Sequence, residues 1–83
     1  MNSSINEVFT GTVIWFSREM GFIGWSKEGV AQKDMFLHYS DINMEGFKTL
    51  EKDDQVSFEI GLNHKGQPKA VNVILLHRPT KVR

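Results

Sequence analysis

No cysteine occurs among the 83 residues. That removes disulfides, thiol catalysis and thiolate zinc sites from consideration, and it suits a reducing cytoplasm. Charge of one sign is also missing: ten Lys and Arg balance ten Asp and Glu, for a net charge of zero. Nucleic-acid binders are usually basic, so this balance counts against long-range attraction to a polyanion. No apolar run approaches the ~20 residues that span a bilayer, and the opening MNSSINEVF is too polar for a signal peptide. Internal repeats and low-complexity segments are absent. So are a nucleophile motif, a phosphate-cradling glycine loop and a paired acidic constellation. The one arrangement resembling a general base is His38 with Asp34 and Asp41 nearby in the chain. A metal site would require His38, His64 and His77 to converge from three separate segments. The expectation is a non-enzymatic domain with no cofactor, no metal and no small-molecule substrate.

What is present is short, β-prone and aromatic. Thr12–Phe16 (TVIWF) follows Gly11 and reads as a strand, and Gly21–Trp25 as a second one after the polar break Ser17-Arg18-Glu19. Ser26–Gln32, with Gly29 inside it, reads as a loop. Asp34–Tyr39 reads as a third strand. Gln55–Ile60 alternates, with Val56, Phe58 and Ile60 inward. Asn63-His64-Lys65-Gly66 reads as a hairpin turn, and Pro68 opens a last strand through Val71, Val73 and Leu75. Ser40–Asp54 is the long connection, with a helical turn near Asp41–Met44. At this length there is room for one small domain, placed at 8–76 between flexible tails at 1–7 and 77–83. Five short strands with almost no helix predict an all-β fold, a small antiparallel barrel whose closure removes exposed edges.

The placement of the aromatics carries the functional signal. Side chains alternate across a strand, so Met35 and Leu37 suit the core while Phe36 and His38 share the opposite face. Ile23 is the core residue of its strand, which turns Phe22 outward and leaves Trp25 at the core or its rim. Trp15 and Phe16 are adjacent, so strict alternation exposes one of them, and exposing both needs a bulge. Each ring has a plainer reading. Trp15 and Phe16 could pack in the core or at an edge, Phe22 and Phe36 could pack on a partner, and Phe47 could plug the barrel end. A flat outward aromatic set is nonetheless unusual on a soluble monomer without a use. Every nucleobase has a π-face, and stacking needs little net positive charge.

These residues resemble the cold-shock domain family, close to the bacterial cold-shock proteins. Gly11-Thr12-Val13-Ile14-Trp15-Phe16-Ser17 stands where the family has Gly-x-Val-Lys-Trp-Phe-Asn. Met35-Phe36-Leu37-His38-Tyr39-Ser40 is similar to Val-Phe-Val-His-Phe-Ser, the second ribonucleoprotein motif. Ile42 through Leu50 keeps Gly46, Phe47 and Lys48 in register, and Lys65-Gly66 and Ala70-Val71-Asn72-Val73 match the closing turn and strand. The resemblance implies a five-stranded OB-fold barrel that binds single-stranded RNA and DNA on strands one to three, acting as an RNA chaperone in the cytoplasm. Carried over by motif, the stacking residues are Trp15, Phe16, Phe22, Phe36, His38, Tyr39 and Phe47, with Lys48 near the backbone. A monomer or weak dimer with no membrane contact is the expected state.

Departures from the pattern are equally specific. The first ribonucleoprotein motif, Lys-Gly-Phe-Gly-Phe-Ile, is replaced by Met20-Gly21-Phe22-Ile23-Gly24-Trp25. Counting from Trp15 aligns Phe22 with the first Phe and puts Gly24 at the second; matching Gly-Phe-Ile instead makes Phe22 the second. Either way one ring is missing. Two lysines of the family give way to Ile14 and Met20, leaving Lys48, Lys65 and Arg18 as the cations available to the face.

Overall fold

A computed structural model describes residues 7–79. The chain forms β1 (Phe9–Ser17), β2 (Met20–Lys27), β3 (Val30–Ala31), β4 (Met35–His38), a 3-10 turn (Tyr39–Asp41), β5 (Gln55–Leu62) and β6 (Pro68–His77). The sheet runs β3-β2-β1-β5-β6, and β4 pairs with β2 beside β3. All these pairings are antiparallel. A parallel bridge between Ile42 and Val73, with the Asn43 amide donating to the Val73 carbonyl at 2.7 Å, closes the sheet on itself. The all-β barrel expected from the strand pattern is thus the observed fold.

Alternation builds the interior. Val13, Ile23, Met35, Leu37, Val56, Phe58, Ala70 and Val73 are buried, joined by Ile42 and Leu50 from the long connection. Phe9 and Trp25 pack on this cluster edge-to-face, 5.0 Å between ring centroids, and Trp25 lies 5.5 Å from Phe58. The Trp25 indole N–H donates to the Lys33 carbonyl at 3.0 Å, which satisfies the polar edge of a half-buried ring.

Four local readings need correction. Ser26–Gln32 is a hairpin rather than a loop: Glu28 and Gly29 both take positive φ, 53° and 81°, and Val30–Ala31 pairs back on Ser26–Lys27. Two such residues give a turn whose twist matches that of the flanking strands. The helical turn of the long connection sits at Tyr39–Asp41, earlier than expected, so Tyr39 leaves the strand. In β6 the alternation breaks: Asn72 takes φ 49° and, with Val73, faces the single residue Phe58, so Ala70 and Val73 are the buried pair. Val71 and Leu75 are only half-buried. Ile60, expected inside, is 40% exposed; it pairs with Ala70 at the margin of the core, where the β5–β6 hairpin runs out to its turn. That turn is as expected, with Asn63 Oδ1 accepting from the Lys65 and Gln67 amides at 2.8 and 2.9 Å.

The fully buried Asp54 is the one buried charged side chain among the described residues. Arg78 grips it with two prongs, Nε to Oδ1 at 3.0 Å and Nη2 to Oδ2 at 2.8 Å, while the Glu51 amide donates to Oδ2 at 2.8 Å. The hydrogen bonds to Asp54, with attraction from Asp54 and Glu51, raise the guanidinium pKa above its ordinary value against the cost of desolvation. Of the expected C-terminal tail, His77 therefore ends β6 and Arg78 is held by the core, while residues 80–83 lie outside those described, as do 1–6 of the N-terminal tail.

Two expected outcomes test this fold. A Cβ at Gly21 would collide with the Trp15 carbonyl oxygen and lie 2.9 Å from Phe16 Cα, both backbone atoms. Gly21→Ala should therefore cost about 1–3 kcal/mol, as overpacking does. Gly24→Ala should cost much less, because the tightest contact of its Cβ would be with the flexible Ile14 side chain, Cδ1 at 3.2 Å, while the Thr12 carbonyl oxygen stays 3.9 Å away. Urea unfolding of both variants compares them, and equal stability would refute the strand-contact account. Arg78→Ala should lose about 1.5–3 kcal/mol, the range for hydrogen bonds to a charged group. Arg78→Lys should recover only part of it, since an ammonium cannot make the two-pronged contact. A thermal melt unchanged in Arg78→Ala would show that Asp54 does not depend on this partner.

Candidate nucleic-acid interface

The outward face is set by a single offset in β1. Val13 pairs with Ile23 and Trp15 with Phe22, so Ile14 has no partner and forms a bulge. An extra residue in one strand shifts the alternation by one. Ile14 and Trp15 consequently both face out, 39% and 43% exposed. The bulge that could have exposed Trp15 and Phe16 together falls one residue earlier. Phe16 is opposite Gly21, half-buried and packed against the core. It is the one expected stacking residue that the strand turns inward, and Gly21 leaves room for its ring.

Register then assembles a row of rings. Phe22 is the cross-strand partner of both Trp15 on β1 and Phe36 on β4. Ring centroids are 5.8 Å apart in each pair, with interplanar angles of 56° and 70°. These are tilted and edge-on contacts of the kind aromatic pairs favour, and they hold one another in place. Met35 and Leu37 are buried while Phe36 and His38 are half-exposed, as the alternation predicts. Phe22 stands opposite Trp15, and Gly24, two residues on, occupies the next outward position without a ring.

His38 lies opposite Met20, and its ring is 4.8 Å from that of Tyr39. Its Nδ1 is 2.8 Å from Ser40 Oγ and accepts from the Ser40 amide at 3.2 Å. A neutral imidazole accepting at Nδ1 carries its proton on Nε2, which becomes a donor. Neither Asp34 nor Asp41 takes the partner position that a general base would need. Asp41 instead pairs with Lys69, at 3.0 Å. Tyr39, Phe47 and Lys48 form the second half of the set, lining an open hollow of about 470 Å³ with Arg18, Glu19 and Gly46. Phe47 is 83% exposed, which excludes the plug reading.

The structure thus brings together Trp15, Phe22, Phe36 and His38 in one row and Tyr39, Phe47 and Lys48 in an adjoining hollow. Two neighbours were not singled out as site residues. Met20 is exposed beside His38, and its shared parity with Phe22 was the available signal. Ile14 is exposed next to the buried Val13, where alternation from Val13 already places it, and the bulge then adds Trp15 to the same face. Of the cations, Arg18 and Lys48 border the hollow, and Lys65 is exposed in the β5–β6 turn.

Comparisons with known proteins point to one family. The profile of the 'Cold-shock' DNA-binding domain matches residues 9–76. A cold shock-like protein of Aquifex aeolicus is 46% identical over 68 residues, spanning 82% of this chain and 94% of the relative. A cold shock protein of Arthrobacter globiformis is 47% identical over 66 residues, spanning 80% and 96%. The cold shock protein CspA of Staphylococcus saprophyticus is 46% identical over 66 residues, again 80% and 96%. With the match covering the strands that carry the rings and the bridge that closes the barrel, the chain belongs to the cold-shock domain family.

Proposed function

We propose that the protein binds single-stranded RNA and DNA by stacking bases on the face of β1, β2 and β4, and that it works in the cytoplasm as a non-enzymatic RNA chaperone. The observation that carries this reading is the row Trp15–Phe22–Phe36, three partly exposed rings aligned across three strands by backbone register. Bases held against protein rings cannot pair with one another, so weak RNA secondary structure melts. Each stacked base contributes about 1–3 kcal/mol and any base can stack. Several such contacts give useful affinity, sequence tolerance and fast release without a nucleotide cofactor. Tyr39, Phe47 and Lys48 extend the track from His38, with Lys48 and Arg18 placed for phosphates.

Titration with oligo-dT or oligo-U, followed by tryptophan fluorescence, tests the reading. Trp15 should be quenched, while Trp25, bonded to Lys33 and packed on Phe58, stands outside the row of rings. No quenching together with a concentration-dependent mass would point instead to a face that binds protein. Phe36→Ala should weaken binding by about 1–3 kcal/mol yet destabilise the fold far less than Val56→Ala, which opens a cavity in the core. Loss of folding in Phe36→Ala with unchanged binding per folded molecule would sink the platform.

Charge yields a further expected outcome. For single strands the affinity falls with log salt at a slope of about −0.7 per phosphate neutralised. With Ile14 and Met20 exposed where family lysines stand, wild type should show a shallow slope worth roughly one to three phosphates. Because Ile14 is outward, Ile14→Lys should fold normally, bind more tightly at low salt and steepen the slope by up to about one contact. A wild-type slope above about five contacts by that relation would show that the affinity rests on charge rather than on rings.

A further inference from the structure

The outward row of β2 does not end at Phe22. Two residues on, about 7 Å along a strand, Gly24 forms part of an open pocket of about 450 Å³. Thr10, Gly11 and Thr12 of β1, Trp25 and Ser26 of β2, Gln55 of β5 and Leu76 of β6 line it as well. Its volume falls within the roughly 300–1,000 Å³ of small-ligand sites. The three hydroxyls and the Gln55 amide make no hydrogen bond to another described residue. No lysine, arginine or carboxylate is among the lining residues. Gly24 pairs with Thr12, adjoins Ile14, and offers a floor with no side chain of its own.

We propose that this pocket receives the base of one further nucleotide of a strand lying on the aromatic row, and holds it by hydrogen bonds to its edge rather than by stacking. The proposal rests on the reading of the face as a single-stranded nucleic-acid interface. Continuity with the row selects the occupant. Gly24 follows Phe22 on the same side of the same strand, within one backbone step of an extended nucleic acid. Chemistry selects the part of the nucleotide. A phosphate would ask for a cation or a cluster of backbone amides, and the lining supplies neutral groups. Hydroxyls both donate and accept, and the Gln55 amide presents donor and acceptor side by side, as the edge of a base does. Leu76 offers an apolar wall for the base's flat side. The missing ring at Gly24 is therefore the entrance to a polar subsite rather than a bare gap in the platform.

The test is an abasic scan: oligo-dT hexamers carrying one abasic residue at each position in turn, bound to wild type and to the double variant Thr12→Val, Gln55→Ala. Both side chains are exposed and unbonded, so thermal melts of the two proteins should coincide. In wild type, one position outside those stacked on the rings should lose about tenfold when its base is removed, the equivalent of one to two net hydrogen bonds. In the double variant the intact hexamer should bind about tenfold more weakly, and that one position should become indifferent to base removal. The remaining positions should keep their penalties. Gly24→Leu, which fills the pocket from its floor, should reproduce the double variant's profile. An unchanged scan in the variants with binding intact overturns the pocket alone. Failure of every hexamer to bind wild type overturns the face and the pocket with it.

Discussion

The interface depends on the place where β1 carries one residue more than β2. Backbone hydrogen bonding forces the pairs on either side of Ile14 into register, and the surplus residue has to be accommodated between Val13 and Trp15. On one side of the bulge Val13 belongs to the core. On the other Trp15 belongs to the surface and Phe16 to the interior, a reversal that a regular strand could not make. The Val13 amide and carbonyl are tied at 2.8 Å to Asp54 and Asp53, so the offset is locked from the β5 side as well. Glycine at position 21 is the complement of this arrangement, since only the smallest residue lets β2 approach the displaced backbone. The row of rings is a consequence of backbone geometry first and of ring–ring contact second.

Much of this was legible in the chain. The inward set Val13, Ile23, Leu37, Val56 and Phe58 follows from period-two alternation, and so does the outward placement of Phe22, Phe36 and His38. Part of what escaped lies where alternation is interrupted. Bulges at Ile14 and at Asn72 move Phe16 and Val71 off their expected sides, because an unpaired residue leaves no compositional trace. The β2–β3 hairpin was hidden because Glu28 adopts a left-handed conformation that its side chain does not advertise. Arg78 was placed in a tail because the partner that holds it, Asp54, is 24 positions away. Sequence patterns report periodicity, whereas bulges, a left-handed turn residue and a distant ion-pair partner leave no periodic mark.

The family's departures also acquire a common physical meaning. Ile14, Met20 and Gly24 all lie on the outward face, and none of them is used by the core. Exchanging lysines for apolar side chains and a ring for glycine therefore leaves the barrel intact while changing what the face offers a ligand. On the proposed reading, affinity moves from charge toward stacking, and its far end from stacking toward hydrogen bonding. Fold and recognition are separable here because they occupy opposite sides of the same strands.

The closing bridge between Ile42 and Val73 has a consequence in time. Every ring of the face lies between Trp15 and Phe47, whereas the strands that support β1 and seal the barrel, β5 and β6, come afterwards. A ribosome that has delivered Phe47 has delivered every ring of the face and neither β5 nor β6. Closure must wait for contacts between distant parts of the chain, the kind that form slowly. The unfinished polypeptide thus carries every ring before it carries the strands that close the barrel behind them.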